Sequence, residues 1–164
     1  MAGTILMTAY STVLQVRFGH VDPAGIAYFP RIFDYVHDVF EEVWELHVGT
    51  RYYHLLLEEK IGFPLVHSEV DFKKPLRFGD RPIVSVTCFK LGRTSIGLRY
   101  RFMLGDEVHL EARMITVSTH LETMEPFPIS DEFRKRFELL LEPGATVASG
   151  TRAEPTTASQ RPHP

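Results

Sequence analysis

The sequence predicts an α+β protein in which an antiparallel β-sheet wraps around one long α-helix. Over residues 31–49, apolar side chains recur at spacings of three and four, which is typical of an amphipathic helix. Four later segments have β-type apolar patterns separated by glycine turns. Burial of the helix stripe against one face of the sheet satisfies both patterns. A split β-α-β fold and a cystatin-like α+β fold fit the same order of elements.

The N-terminal half contains the long helix and the elements beside it. Residues 12–18 are β-prone and lead into a turn. Pro30 suits the first turn of the helix, because its missing N–H costs little there. The helix has about five turns and ends near Gly49. Thr50 is then expected to cap a second short helix that runs to Leu57.

The C-terminal half is predicted to form strands joined in hairpins. Glycine-containing turns at 92–93 and 105–107 separate strand segments at 64–75, 82–91, 94–104 and 108–120. Ser130 opens a final short helix that runs to Leu140. The residues from 143 onward hold four prolines and no aromatic side chain. We therefore expect a domain over 1–141 and a flexible C-terminal tail over 142–164.

Composition excludes several classes of protein. A chain of 164 residues with a net charge of −3 suits one globular domain and lacks the basic surface of a nucleic-acid-binding protein. The single cysteine, Cys88, lies in a strand pattern, so we expect a buried, unreactive thiol and a cytoplasmic protein. We expect no signal peptide and no membrane span, because no apolar run approaches the roughly 18 residues that a bilayer requires.

The most informative segment, residues 16–30, places Asp22 in a turn before the long helix. Asp22, Pro23 and Gly25 are the residues preferred in a type I turn, so a purely structural interpretation exists. A carboxylate that faces a helix start also has a chemical interpretation. It supplies a nucleophile or a base, and unpaired N–H groups of the helix start stabilise an oxyanion. Gly25 serves the turn and lets a substrate approach the backbone closely.

This segment closely resembles the active-site segment of the 4-hydroxybenzoyl-CoA thioesterase family, whose members have the hot-dog fold. The matched residues are Phe18-Gly19, the run Asp22-Pro23-Ala24-Gly25-Ile26, and an aromatic pair followed by Pro30. A weaker resemblance extends from about residue 13 to about residue 140. It implies that Asp22 is the catalytic carboxylate and that the backbone N–H of Phe29 polarises the thioester carbonyl. Whether Asp22 attacks directly or activates water stays open.

Further residues are candidates for substrate binding. Tyr28 and Phe29 match aromatic positions of the family, and the absence of histidine at Phe29 favours an aromatic or compact acyl group. His20 would share a face with Asp22 in an extended chain. His67 lies on a strand that borders the site in the family. The alternative for each is a structural or surface role.

Coenzyme A carries phosphates, which call for basic groups at the mouth of the site. The element Arg93-Thr94-Ser95 matches a basic-then-hydroxyl element that lies near the coenzyme phosphates in the family. Weaker candidates are Lys73, Lys74 and Arg77. We expect no metal and no cofactor besides the coenzyme A of the substrate, because the histidines are scattered and no glycine-rich phosphate loop is present.

The sequence therefore predicts an acyl-CoA thioesterase that releases a carboxylic acid and coenzyme A. The family places its sites at a dimer interface and often pairs dimers, so the resemblance implies a homodimer or homotetramer. Two other functions stay open at this stage. One is an acyl-CoA-binding hot-dog module without turnover, and the other is a hot-dog hydratase or dehydratase.

Overall fold

A computed structural model describes residues 9–148, which form a curved sheet around the long helix. The helix α1, Arg31–Glu42, continues as one π-helical stretch, Val43–Val48, and ends at Gly49 with φ 93°. Two shorter helices follow, α2 at Tyr52–Leu57 and α3 at Asp131–Glu138. The strands are β1 Tyr10–Val13, β2 Ile61–Gly62, β3 Leu65–Phe72, β4 Ile83–Leu91, β5 Ser95–Leu104, β6 Glu107–Val117, β7 Thr119–His120 and β8 Leu141–Val147.

The main sheet has the order β1-β4-β5-β6-β3, and β2 pairs separately with β7. The hairpins β4-β5 and β5-β6 confirm the predicted turns at 92–93 and 105–107. The strand β3 does not pair with β4, which follows it in sequence, but crosses to the far edge and pairs with β6. The prediction of four strands in consecutive hairpins was wrong at this point, because pairing with β6 is decided by contacts distant in sequence.

The apolar stripe of α1 and the inward face of β4, β5 and β6 share one core. Val39, Val43 and Trp44 are fully buried on the helix side. The alternating strand 94–104 is confirmed, since Ile96, Leu98, Tyr100 and Phe102 are all buried. The antiparallel sheet around one long helix is therefore as the sequence predicts, and it is the arrangement of the hot-dog fold.

Two local predictions differ from the structure, and a third is confirmed. The β-prone segment 12–18 contains only the end of β1, and Phe18–His20 form a short 3₁₀ turn because the chain leaves the sheet to enter the Asp22 loop. Thr50 does not cap α2, whose first flanking residue is Arg51 in an extended conformation. Ser130 does cap α3, and its hydroxyl accepts the Phe133 N–H at 3.2 Å.

The expected domain boundary at 141 was wrong. Residues 141–147 form β8, which pairs in parallel with β4, so the sheet includes the first part of the expected tail of 142–164. The contacts of Glu142 hold β8 in the sheet. Its carboxylate accepts two hydrogen bonds from Arg99 at 2.9 and 3.0 Å and one from Thr87 at 2.8 Å. Composition gave no sign of this ion pair. The remainder of the expected tail, from residue 149 onward, lies outside the described residues.

Cys88 is fully buried, and burial raises the pKa of its thiol to about 12. A thiol that stays protonated is a poor nucleophile. The predicted burial of this cysteine is confirmed, and its low reactivity stays a prediction that the raised pKa supports. Within residues 9–148, no helix has the length and apolar composition needed to cross a bilayer.

Substitution of Glu142 tests the role of β8 in stability. Burial raises the pKa of Glu142, but hydrogen bonds from Arg99 and Thr87 outweigh it and lower the pKa below 4.5. The ion pair therefore makes its full contribution to stability at pH values above the ordinary glutamate pKa. This contribution is lost as the pH falls through the lowered pKa of Glu142 in the folded protein. We expect Glu142→Gln to lower the free energy of unfolding by about 2 kcal/mol at pH 7.

The difference in unfolding free energy between this variant and the parent chain, measured by urea titration, should become smaller below about pH 4. Glu107→Gln is the matched control, because Glu107 pairs with Lys74 on the exposed surface. This control should unfold nearly like the parent chain. An equal loss at all pH values would contradict the assigned ion pair.

Candidate active site

The Asp22 loop is a small hairpin closed by backbone hydrogen bonds. The Asp22 N–H donates to the Ile26 carbonyl and the Gly25 N–H donates to the Asp22 carbonyl, both at 2.9 Å. Gly25 has φ 75°, a conformation that favours glycine. The Ala27 N–H donates to the Leu76 carbonyl at 2.7 Å, which ties the loop to the segment before β4. These contacts hold the carboxylate at a defined place beside the start of α1.

The two carboxylate oxygens of Asp22 have different surroundings. Oδ1 accepts the Ala24 N–H at 2.8 Å, which is the turn interaction expected of an aspartate at this position. Oδ2 receives no hydrogen bond from any residue of 9–148. The structural and chemical interpretations of Asp22 are therefore compatible, because the turn uses one oxygen and leaves the other for a substrate.

The Phe29 amide is the first unused donor at the helix start. The Tyr28 N–H donates to the His20 carbonyl at 2.9 Å, and Pro30 has no N–H. The Arg31 N–H donates back to the Tyr28 carbonyl at 2.8 Å. Among the described residues, no acceptor contacts the Phe29 N–H. It lies at the positive end of the α1 dipole, where a developing oxyanion is stabilised.

His20 is held by Tyr35, a partner that the sequence analysis missed. The His20 Nδ1 atom lies 2.8 Å from the Tyr35 hydroxyl and 3.3 Å from the Arg17 N–H. A backbone N–H only donates, so Nδ1 is the acceptor and Nε2 carries the ring proton. Tyr35 is 3% exposed, and burial raises the pKa of its hydroxyl, which therefore remains protonated and donates to His20. Tyr35 looks like an ordinary core residue in the sequence, with no signal of this contact.

Surface cavities flank the Asp22 loop on two sides. One, of about 480 Å³, is bordered by His20 and the first turns of α1. The other, of about 410 Å³, is bordered by Ile26 and Ala27 of the loop and by Lys73 and Lys74 at its rim. The two lysines were weak candidates from sequence, and the structure places them closer to the loop than Arg93.

Arg93, Thr94 and Ser95 lie at the opposite end of the sheet. They occupy the β4-β5 turn, whereas the Asp22 loop is attached just before the start of β4. The length of β4 separates these positions by about 26 Å, at roughly 3.3 Å per residue. His67 lies on the exposed strand β3 with its Nε2 3.4 Å from Glu69, and it borders neither of the two cavities beside the Asp22 loop. One chain therefore assembles His20, Asp22, Gly25, Tyr28 and Phe29, with Lys73 and Lys74 at the rim of the adjoining cavity, but it does not bring His67, Arg93, Thr94 or Ser95 to this site.

The aromatic pair beside the loop is exposed. Tyr28 is 48% exposed and Phe29 is 63% exposed, with ring centroids 5.4 Å apart. An aromatic residue at the start of a helix is often part of the core, but these two are not core residues of this chain. Both rings are available to a ligand or to another subunit. No three His, Cys, Asp or Glu side chains of residues 9–148 are grouped as metal ligands.

Comparison with known proteins identifies the family of this chain. Residues 16–137 match the thioesterase-like superfamily, and the chain belongs to it. The chain is 28% identical to a 1,4-dihydroxy-2-naphthoyl-CoA hydrolase of Rippkaea orientalis, over 71% of this chain and 86% of that protein. It is 26% identical to the enzyme of the same name from Synechococcus elongatus, over 78% and 94% of the two chains.

Solved structures confirm the hot-dog fold. A thioesterase-superfamily protein from Jannaschia superposes with a TM-score of 0.76 at 24% identity, covering 82% of this chain and 94% of that one. A gentisyl-coenzyme A thioesterase superposes with a TM-score of 0.71 at 25% identity, covering 78% and 99%. The resemblance recognised from the Asp22 segment is thereby confirmed at the level of family and fold.

The conformation of Gly25 generates a stability prediction with a matched control in the same loop. A Cβ atom on Gly25 would meet no atom within 4 Å, so Gly25→Ala adds only backbone strain at positive φ. We expect a loss of about 1 kcal/mol in the free energy of unfolding. Gly19 has equal space and no positive φ, so Gly19→Ala should not destabilise the protein. Equal effects of the two substitutions in urea unfolding would argue against the loop conformation.

Proposed function

We propose that this protein is a thioesterase that hydrolyses an aromatic acyl-CoA to the free acid and coenzyme A. The observation that carries the proposal is the pairing, in one hydrogen-bonded loop, of the unoccupied Oδ2 of Asp22 with the unused N–H of Phe29. Membership of the thioesterase-like superfamily supports the reaction class. The names of the relatives, which specify dihydroxynaphthoyl-CoA and gentisyl-CoA, support an aromatic acyl group.

The geometry admits two routes, and each passes through a tetrahedral intermediate that carries an oxyanion. In the first, Asp22 Oδ2 attacks the thioester carbon, the C–S bond breaks, and coenzyme A leaves as a thiolate while an aspartyl–acyl anhydride forms. Water then cleaves the anhydride to the acid and the Asp22 carboxylate. In the second, Asp22 takes a proton from a water molecule that attacks the thioester carbon directly; the C–S bond then breaks, and the departing coenzyme A thiolate takes up the proton held by Asp22. In both routes the Phe29 N–H donates to the oxyanion.

The proposed site is completed by a second copy of the chain. The outer edge of β3 pairs with no strand among the described residues, and its side chains Leu65, Val66 and Phe72 are at least 49% exposed. An exposed strand edge with apolar side chains favours pairing with another chain. When β3 pairs antiparallel with β3 of a second copy, the sheet of that copy runs in the opposite direction. The end that carries Arg93 of the partner subunit then lies on the side of Asp22.

This arrangement gives Arg93, Thr94 and Ser95 the coenzyme-binding role expected from the resemblance, with each site using both subunits. The exposed aromatic residues Tyr28 and Phe29 then face a covered cleft. The dimer is the smallest such assembly, and pairs of dimers give the homotetramer found in the family. We place the enzyme in the cytoplasm, where its coenzyme A substrate is available, and assign it no metal.

Asp22→Asn tests the proposed reaction. The amide still accepts the Ala24 N–H, so folding is retained, but it is neither a nucleophile nor a base. We expect kcat for release of free thiol from 4-hydroxybenzoyl-CoA to fall by at least about 1000-fold. Asp80→Asn is the matched control, because Asp80 Oδ2 likewise accepts a backbone N–H, that of Arg77, at 2.7 Å.

The control should keep activity within about twofold of the parent enzyme. Near-normal activity of Asp22→Asn would refute the assignment. A panel of aromatic, short-chain and medium-chain acyl-CoAs completes the test. Saturable binding without thiol release from any of them would indicate an acyl-CoA-binding module, and hydration of an enoyl-CoA without thiol release would indicate a hydratase.

Arg93→Ala tests the shared site. Loss of a phosphate contact should raise KM for 4-hydroxybenzoyl-CoA about tenfold, with little effect on the phosphate-free thioester of N-acetylcysteamine. Equal changes for both substrates would argue against a phosphate contact. A mixture of subunits then shows which chain supplies the arginine.

Mixed dimers of Asp22→Asn and Arg93→Ala chains contain one intact site only if Asp22 and Arg93 come from different subunits. We expect activity to recover after the two variants are unfolded together and refolded, and dimer mass to be confirmed by light scattering. No recovery in verified mixed dimers would place both residues in the same chain's site or exclude Arg93 from it.

A further inference from the structure

A cavity of about 370 Å³ lies between α1 and the inward face of the sheet. Its mouth is formed by Phe33 and Leu65, which are 42% and 49% exposed. Its floor is formed by buried side chains of β5 and β6, among them Leu98, Tyr100 and Met114. The lining is mainly apolar, with few polar groups, as is usual for sites that bind small organic molecules.

The Tyr100 hydroxyl is the unusual group on this floor. Tyr100 is 1% exposed, and its hydroxyl has no hydrogen-bond partner among residues 9–148. The other hydroxyls of the cavity are engaged: that of Tyr52 accepts the Phe63 N–H at 3.0 Å, and that of Thr116 donates to the Ile96 carbonyl at 3.5 Å. Burial raises the pKa of Tyr100, so its hydroxyl is protonated and can donate.

Among the described residues, the fully enclosed side-chain polar atoms without a partner are Trp44 Nε1 and Arg113 Nε, and the Tyr100 hydroxyl is not one of them. The hydroxyl is therefore accessible from the cavity that Tyr100 lines, and a polar atom of a ligand can bond to it there. Tyr100 thus combines the two properties of a recognition group: it is buried beneath the cavity, and its hydrogen-bonding capacity is unused.

The cavity opens towards the proposed catalytic loop. Phe33 lies in the first turn of α1, and Phe29 immediately precedes the Pro30 N-cap, so both lie at the N-terminal end of the helix. Phe33 and His37 also border the surface cavity that reaches His20. An acyl group whose carbonyl is held by the Phe29 N–H can therefore extend along α1 and enter at Phe33.

The volume of the cavity favours rings over a long chain. A protein cavity of about 150 Å³ accommodates benzene. The cavity under α1 is more than twice as large, which suits one substituted ring or two fused rings.

We propose that this cavity binds the acyl group of the substrate and that the Tyr100 hydroxyl recognises a polar substituent on its ring. The chemical class of the acyl group is a hydroxylated aromatic acid of one or two rings. This inference rests on the proposed thioesterase function and adds to it the residue that selects the hydroxylated substrate over the plain one.

Tyr100→Phe tests the inference, because it removes the hydroxyl and keeps the ring. The probes are 4-hydroxybenzoyl-CoA and 6-hydroxy-2-naphthoyl-CoA, each compared with the acyl-CoA that lacks the hydroxyl. In at least one pair, kcat/KM for the hydroxylated substrate should fall about tenfold while that for the plain substrate changes less than about twofold. Tyr53→Phe, at a residue of α2 that is 48% exposed and lines no part of this cavity, should change neither.

Binding provides a second measurement that does not need turnover. The single tryptophan, Trp44, has its ring 4.7 Å from that of Phe63, which lines the cavity. Titration of Asp22→Asn with 4-hydroxybenzoyl-CoA and benzoyl-CoA, followed by Trp44 fluorescence, should show a preference for the hydroxylated ligand. Adding Tyr100→Phe should remove that preference.

The outcomes separate this inference from the proposed function. Ligand preference that depends on Tyr100, without thiol release from any substrate, would retain the cavity and refute the hydrolase. Thiol release that depends on Asp22, with equal effects of Tyr100→Phe on hydroxylated and plain members of both pairs, would retain the hydrolase and overturn the role of Tyr100.

Discussion

Burial of the apolar stripe of α1 against the sheet is the constraint on which the rest of the molecule depends. Val39, Val43 and Trp44 are fully buried, and the Trp44 ring contacts Phe63 and Phe137 from other elements. These contacts determine both the rotation of the helix and the direction of its axis. Because α1 starts at the Asp22 loop, the same packing places the Phe29 amide and the cavity beneath Phe33 along one helix face.

The Asp22 loop shows how a turn can satisfy its own hydrogen bonds and still provide chemistry. Its backbone is held by internal bonds and by the Leu76 carbonyl, so the carboxylate needs little reorganisation before reaction. Only Oδ1 is committed to the turn. Loops of this kind combine rigidity with access, which is why catalytic groups are often found on loops held by a stable scaffold.

The outer face of the sheet is stabilised by charges rather than by a second apolar layer. Arg99 lies between Glu111 and Glu142, and Thr87 adds a hydrogen bond to Glu142. Partly buried charges of one sign would be unfavourable, but these are paired and hydrogen-bonded. The network connects β8 to β4 and β5, so a segment with a tail-like composition completes the sheet.

Features that depend on neighbouring residues in the chain could be predicted from the sequence. Helical periodicity, the glycine at the end of the long helix, the Ser130 cap and the Asp22 turn were all predictable, because each rests on hydrogen bonds or spacing within a few residues. The strand 94–104 was predictable for the same reason. The family was recognisable because its active-site segment is continuous.

Contacts between groups that are distant in the chain became evident only in the folded molecule. It moved β3 to the edge beside β6, joined Glu142 to Arg99, gave His20 its Tyr35 partner, and separated Arg93 from Asp22 within one chain. It also left the Tyr100 hydroxyl unpaired beneath a cavity. Periodicity tells which face of a strand or helix is buried, but a contact between distant segments depends on how those faces pack, and no local pattern contains that information.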